Sequence, residues 1–158
     1  MRAAIITICA CLCLNLAVFA APQAIVKPTS EGKEVAIKWL ALVDGGQYGK
    51  SWEAAAKPFQ SSVTKAGWIV GMNKARRFYG RVLSRKFDTS TYAANPPGFA
   101  PGEYEILRFE VNFRDRGAAT EIVSMALQSN GKWLVAGYHI SLKNHIRVRP
   151  LKTRDGNH

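Results

Sequence analysis

The stretch Glu103-Tyr104-Glu105-Ile106-Leu107-Arg108-Phe109-Glu110-Val111-Asn112-Phe113 decides the fold. Leu107, Phe109, Val111 and Phe113 occupy alternate positions, with Arg108, Glu110 and Asn112 between them. Successive side chains in a strand point to opposite faces, so this pattern makes a strand with one face for a core and one for water. Reading downstream, Asp115 to Gly117 turns the chain into a second alternating run, Ala119 to Leu127. Asn130-Gly131 is a strong hairpin signal, and Lys132 to Leu142 forms the last strand. Upstream, Asn95 to Gly102 is a proline- and glycine-rich loop, and Arg81 to Tyr92 is the first strand.

Before Gly80 the periodicity is helical. Ser30 is a good N-cap, and Glu31 and Glu34 suit the positive end of the helix dipole. Val35, Ala36, Trp39, Leu40 and Val43 then form one apolar stripe, which Gly45-Gly46 ends. A second segment has Ser51 as cap ahead of Trp52 to Lys57. Pro58 interrupts or kinks it, and Phe59 and Val63 extend its apolar surface. Thr64 caps a third helix to about Tyr79, with Trp68, Met72, Ala75 and Tyr79 on its buried side. Helices followed by strands on short connections predict an α+β fold: three N-terminal helices packed on a curved four-stranded antiparallel sheet. A cystatin-like cone is the architectural analogy. It implies a cavity between the third helix and the sheet and says nothing of its contents.

The N-terminus reads as a secretory signal over residues 1–20. Arg2 is its one charge, Ala3 to Phe19 is almost wholly apolar, and Val18-Phe19-Ala20 sets up cleavage before Ala21. A transmembrane anchor and a lipidated cysteine at Cys11 are the rival readings. The first lacks a basic stop-transfer flank, and the second places its cysteine too early in the apolar run. Residues 21–30 read as an extended leader, 31–142 as a single α+β domain, and 143–158 as a basic, disordered tail. The expected location is exported, periplasmic or secreted. All three cysteines, Cys9, Cys11 and Cys13, lie in the signal segment, so the processed chain has no disulfide, thiolate metal site or cysteine nucleophile.

The run Trp39 to Tyr48, with Ser51-Trp52 and Ala55, resembles the start of a bacterial domain-of-unknown-function family numbered 4019. Trp68, Gly80, Ser84-Arg85, Pro97-Gly98, Gly102-Glu103-Tyr104, Gly131-Lys132-Trp133 and Gly137-Tyr138 continue the resemblance in order, over about Glu34 to Ile140. It implies a small exported or envelope-associated domain and assigns no activity and no functional residue.

The residues themselves narrow the chemistry. His139, His145 and His158 have no metal-ligand spacing, and His139 reads as an exposed or hydrogen-bonded strand residue. No nucleophile elbow, phosphate loop or dinucleotide fingerprint occurs, so no cofactor is implied and nucleotide chemistry is set aside. Glu121 shares the apolar face of Val123, Met125 and Leu127, where a carboxylate is costly. It reads either as a buried ion pair, with Arg85 or Arg76, or as a general base with a raised pKa. Asp44, at a helix end before two glycines, reads as a turn or capping residue. Trp39, Trp52, Trp68 and Trp133 fall at core positions.

The chain carries 22 Lys and Arg against 11 Asp and Glu, a net charge of +11. From Lys65 to Lys86 no acid interrupts Lys65, Lys74, Arg76, Arg77, Arg81, Arg85 and Lys86. Such a run is either a solvated surface or a face for an anionic partner. The first expectation is therefore a non-catalytic binding module of the bacterial envelope, using Arg76, Arg77, Arg81, Arg85 and Lys86 toward an anionic envelope component or an acidic protein. Nucleic acid is disfavoured by the compartment. The alternatives are a carrier of a small ligand between helix and sheet, and a cone-fold enzyme with Glu121 as base.

Overall fold

The computed structural model describes residues 30–143; the expected signal segment, the expected leader up to residue 29 and the expected tail beyond Lys143 lie outside them. Among the described residues four helices precede four strands: α1 (Ser30–Asp44), α2 (Tyr48–Glu53), α3 (Lys57–Ser62), α4 (Lys65–Tyr79), β1 (Val82–Ala94), β2 (Glu103–Phe113), β3 (Gly117–Leu127) and β4 (Trp133–Leu142). The strands form one antiparallel sheet in the order β1-β2-β3-β4. The fold is α+β, as the alternation of β2 predicts.

The helix count exceeds the expected three because Pro58 starts a helix where an interruption was expected. Ala56 is extended, which frees the chain to restart, and Pro58 sits in the first turn of α3, where its missing N–H is tolerated. The break is anchored: the Ala56 N–H donates to the Val135 carbonyl of β4 at 2.8 Å. The Gln60 side-chain amide then donates to the Trp52 and Ala55 carbonyls around the end of α2, both at 3.1 Å. α4 begins as expected, with Thr64 Oγ1 accepting from the Gly67 N–H at 3.1 Å, and ends at Gly80, whose φ of 79° suits glycine.

The helices cover one face of the sheet. Ala36, Trp39, Leu40 and Val43 of α1, Phe59 of α3, and Trp68 and Met72 of α4 pack with Leu107, Phe109, Val123, Met125, Trp133 and Val135. Aromatic rings join these layers: Trp68 lies 5.0 Å from Phe59, and Trp39 lies 5.8 Å from Trp68 and 5.4 Å from Tyr138. Ser51 is buried inside α2 and is not the expected cap. Its carbonyl accepts from Trp39 Nε1 at 2.7 Å and its hydroxyl oxygen from Trp68 Nε1 at 2.9 Å, so both indole donors are satisfied in the core. A smaller apolar group, Val111, Phe113 and Ala119 with Tyr79, Val82 and Ile140, lies at the other end of the sheet.

Three register irregularities decide which side chains turn inward. They lie between Val82 and Ser84, between Phe87 and Thr89, and opposite the step from Ser124 to Met125. An extra residue in one strand bends it and reverses its alternation. On β4, Ser124 pairs with Gly137 but Met125 pairs with Val135. The bulge therefore lets Tyr138 join Val135 on the helix side and leaves His139 exposed.

Candidate functional site

At the junction of the two apolar groups lies a cluster of charge. On β3, Glu121 sits between Ala119 of the smaller group and Val123 of the larger, and it is fully buried. Its Oε2 accepts from Arg85 Nε of β1 at 2.5 Å. Its Oε1 accepts from Arg85 Nη2 at 3.2 Å and from the Tyr138 hydroxyl at 2.5 Å. The other edge of the Arg85 guanidinium donates to Asp44, with Nη1 at 2.6 Å from Oδ2 and Nη2 at 3.1 Å from Oδ1. Arg76 of α4 completes the cluster, donating to Asp44 Oδ1 at 2.7 Å and lying 5.4 Å from the Phe113 ring centre.

Physical chemistry accounts for each member. A carboxylate on an apolar face requires a paired charge, and a planar guanidinium supplies several directed donors at once. Burial alone would lower the Arg85 pKa. The hydrogen bonds and charges of Asp44 and Glu121 outweigh it, so the group is held more firmly protonated than a free arginine. Burial, the Glu121 charge and the hydrogen bond to Glu121 push the Tyr138 phenol well above its ordinary range, against the opposing charges of Arg76 and Arg85. Tyr138 is thus a neutral donor. Asp44 is the last residue of α1, an end where the helix dipole disfavours an anion. Two arginines offset that cost, so the side chain read from sequence as a turn or capping group is engaged in the ion cluster.

Two guanidinium groups meet two carboxylates, so the cluster is balanced in charge. Both oxygens of Glu121 are engaged. Two donors stand out: Arg76 Nε and Nη1 are buried without a partner among the described residues.

The basic residues singled out by sequence separate into three places. Arg76 and Arg85 turn inward. Lys86 lies on the open face of the sheet, opposite Glu110 on β2, where with Ser84, Asn112, Ala118 and Lys143 it lines a depression of about 300 Å³. Arg77 and Arg81 are exposed at the end of the sheet where α4 passes into β1. The β2–β3 turn joins them there. The Arg114 N–H donates to the Arg81 carbonyl at 2.9 Å, and the Asp115 N–H donates to the Tyr79 carbonyl at 3.1 Å. Arg116 Nε donates to the Phe78 carbonyl at 3.1 Å, and its guanidinium lies 4.0 Å from the Phe78 ring centre. Arg77, Arg81, Arg114 and Arg116 are therefore gathered at one corner, with Asp115 bonded to Arg114 at 2.8 Å. Arg114 and Arg116 were not singled out from sequence, because the acid-free run ends at Lys86 and only the fold brings the turn to the helix end.

A second buried carboxylate also went unnoticed in the sequence. Glu105 of β2 is 1% exposed, with Oε2 lacking a partner among the described residues. Burial raises its pKa, against the opposing effects of the Ser90 hydroxyl and the Lys33 charge. Counting back two residues from Leu107 places Glu105 on the inward face, so its position was available in the pattern.

A family model for proteins described as "Protein of unknown function (DUF4019)" matches residues 35–138. The chain belongs to this family. No curated protein matches it. Among solved structures, a protein from Catenulispora acidiphila is 11% identical with a TM-score of 0.47, over 70% of this chain and 88% of the other. Aln2 from a Streptomyces species is 13% identical with a TM-score of 0.44, over 71% of this chain and 88% of the other. ActVI-ORFA from Streptomyces coelicolor is 12% identical with a TM-score of 0.45, over 76% of this chain and 96% of the other. Among the described residues no helix is long and apolar enough to cross a membrane, and no group of three or more His, Cys, Asp or Glu is placed to hold a metal ion.

Proposed function

We propose that this family member is a non-catalytic envelope module that binds an anionic partner through the arginine corner. The carrying observation is that Arg77, Arg81, Arg114 and Arg116 project from one place while Asp115, the acid among them, is already bonded to Arg114. Four exposed arginines from a helix end and a turn create a local positive field that no core contact requires, and such fields attract anions before any specific contact forms. Arg76 and Arg85 belong to the fold on this reading, since their charge is answered by Asp44 and Glu121. Export rests on the signal pattern of residues 1–20, and N-terminal sequencing of the processed protein tests it by finding Ala21 first or not.

Catalysis by Glu121 is the weaker alternative. A general base needs a lone pair within reach of a substrate proton, and both Glu121 oxygens already accept from Arg85 and Tyr138. A small-ligand carrier retains one supporting feature, the two unpartnered Arg76 donors between α4 and the sheet.

Retention on an immobilised soluble polyanion, followed against salt, tests the binding reading. Wild-type protein elutes at clearly higher salt than Arg77→Glu/Arg81→Glu, because surface attraction is screened over about 8 Å at physiological ionic strength. Equal elution of the two, with unchanged circular dichroism, would remove the corner as the binding site.

A further inference from the structure

The arginine corner also carries apolar side chains in water, and these identify its partner. Phe78 is 45% exposed and Leu83 is 49% exposed. Each is held out by local geometry. Phe78 follows Arg77 on α4, off the face carrying Trp68, Met72 and Tyr79 that turns to the core. Leu83 falls at the register irregularity between Val82 and Ser84, where β1 leaves regular pairing with β2. Leu142, at the end of β4 and paired with Ala119, is 38% exposed at the same end of the sheet.

We infer that this end of the molecule seats on an anionic lipid surface, with Phe78 and Leu83 entering the interface and Arg77, Arg81, Arg114 and Arg116 meeting the head groups. The inference rests on the binding reading above and names its partner. Charge alone would serve any polyanion, and apolar exposure alone would serve any greasy surface. A bilayer with negative head groups answers both, with charge at its surface and hydrocarbon a few ångströms beneath. The stacking of Arg116 over Phe78 fits this geometry, because a guanidinium can stay at head-group level while the ring beneath it goes deeper. The sheet end also suits the approach: the chain leaves β4 there at Lys143, whose N–H donates to the Ala118 carbonyl at 3.1 Å. The following sequence carries Arg147, Arg149, Lys152 and Arg154. A surface site of this kind needs no membrane-spanning segment, and two apolar side chains with several cations give reversible attachment.

Flotation with vesicles tests the inference, using the protein as cells export and process it, with all variants carrying the same leader. Vesicles of phosphatidylcholine with phosphatidylglycerol are compared with phosphatidylcholine alone. Wild-type protein floats with the first and remains below with the second. Arg77→Glu/Arg81→Glu reduces flotation more than tenfold, and Phe78→Ser/Leu83→Ser reduces it roughly tenfold. The apolar pair leaves retention on the soluble polyanion unchanged, because no hydrocarbon is present there. If Phe78→Ser/Leu83→Ser floats like wild type while the arginine pair loses both vesicles and polyanion, the corner serves an acidic protein or polymer. The lipid inference then fails and the binding reading stands. If the arginine pair matches wild type in both assays, both fall together.

Discussion

Arg85 of β1 and Glu121 of β3 are bonded to each other across the intervening strand β2, with Nε 2.5 Å from Oε2. In register, Arg85 pairs with Val111 and Glu121 pairs with Phe109, so the ion pair lies diagonally over two apolar residues of the central strand. A long side chain from the edge strand thus closes the carboxylate of its second neighbour. Tyr138, from the other edge strand, reaches the same carboxylate. The three bonds join β1, β3 and β4 on the helix side, where backbone pairing links only adjacent strands.

Removing one partner of this pair is expected to cost far more than removing the group together. Arg85→Ala leaves Glu121 buried without its charge partner and should destabilise the fold by about 3–5 kcal/mol. Arg85→Met/Glu121→Leu/Tyr138→Phe removes charge and donors together, and its stability should return to near that of wild type. Urea denaturation of the variants reads the difference directly. A triple variant as unstable as Arg85→Ala would mean that packing, and not unpaired charge, sets the cost.

How much of this was legible before the structure depends on the period of the pattern. The alternation of β2 located the sheet, and the stripe of α1 located the face that covers it, because both patterns repeat over many residues. Glu121 was legible for the same reason: alternation from Val123 turns it inward. Tyr138 was not. Alternation from Trp133 and Val135 points Gly137 and His139 inward, and only the bulge opposite Ser124 and Met125 moves Tyr138 there. A bulge is set by the pairing of two strands, so neither strand announces it alone. Ser51 was misread as a cap because short polar residues favour helix starts. Its actual role depends on Trp39 and Trp68, which lie 12 and 17 positions away.

Ser51→Ala provides a separate test of that buried network. The substitution removes the hydroxyl that accepts from Trp68 Nε1 and donates to the Tyr48 carbonyl at 2.9 Å, while leaving the backbone acceptor for Trp39 intact. A buried indole donor left without an acceptor should cost about 1–3 kcal/mol. Chemical denaturation checks the loss, and the double variant Ser51→Ala/Trp68→Phe should fall short of the sum of the singles, because the orphaned donor is gone. Strict additivity would show that the hydrogen bond contributes nothing.

Gly32 and Glu105 form a tight contact between α1 and β2. A Cβ on Gly32 would meet Glu105 Oε2 at a separation no carbon atom tolerates, and Trp133 stands close behind. Glycine to alanine within a helix ordinarily gains about 0.5–1 kcal/mol. Here Gly32→Ala should lose stability, because the buried carboxylate must shift. In a Glu105→Ala background the same substitution should turn stabilising. The sign of that change in melting temperature is the readout, and a gain in both backgrounds would mean that the contact yields without cost.

Glu105 should also make stability depend on pH. The groups facing it are the Lys33 ammonium from α1 and the Ser90 hydroxyl from β1, both of which favour the charged form, yet burial prevails and its pKa is raised. A raised carboxyl pKa means that the folded state holds its proton more tightly than the unfolded chain does. Its favourable contribution is therefore complete below the ordinary carboxylate range and is lost as pH rises through the raised folded value. The carboxyl is buried with one oxygen unpartnered among the described residues, so the charged form is the costly one. Glu105→Gln keeps the shape and removes the charge, so it should raise the melting temperature at neutral pH and converge with wild type in acid. Thermal melts of both proteins from acid to neutral pH give the difference curve. A Glu105→Gln protein less stable at neutral pH would show instead that the ionised carboxylate is held favourably, with Lys33 as its effective partner.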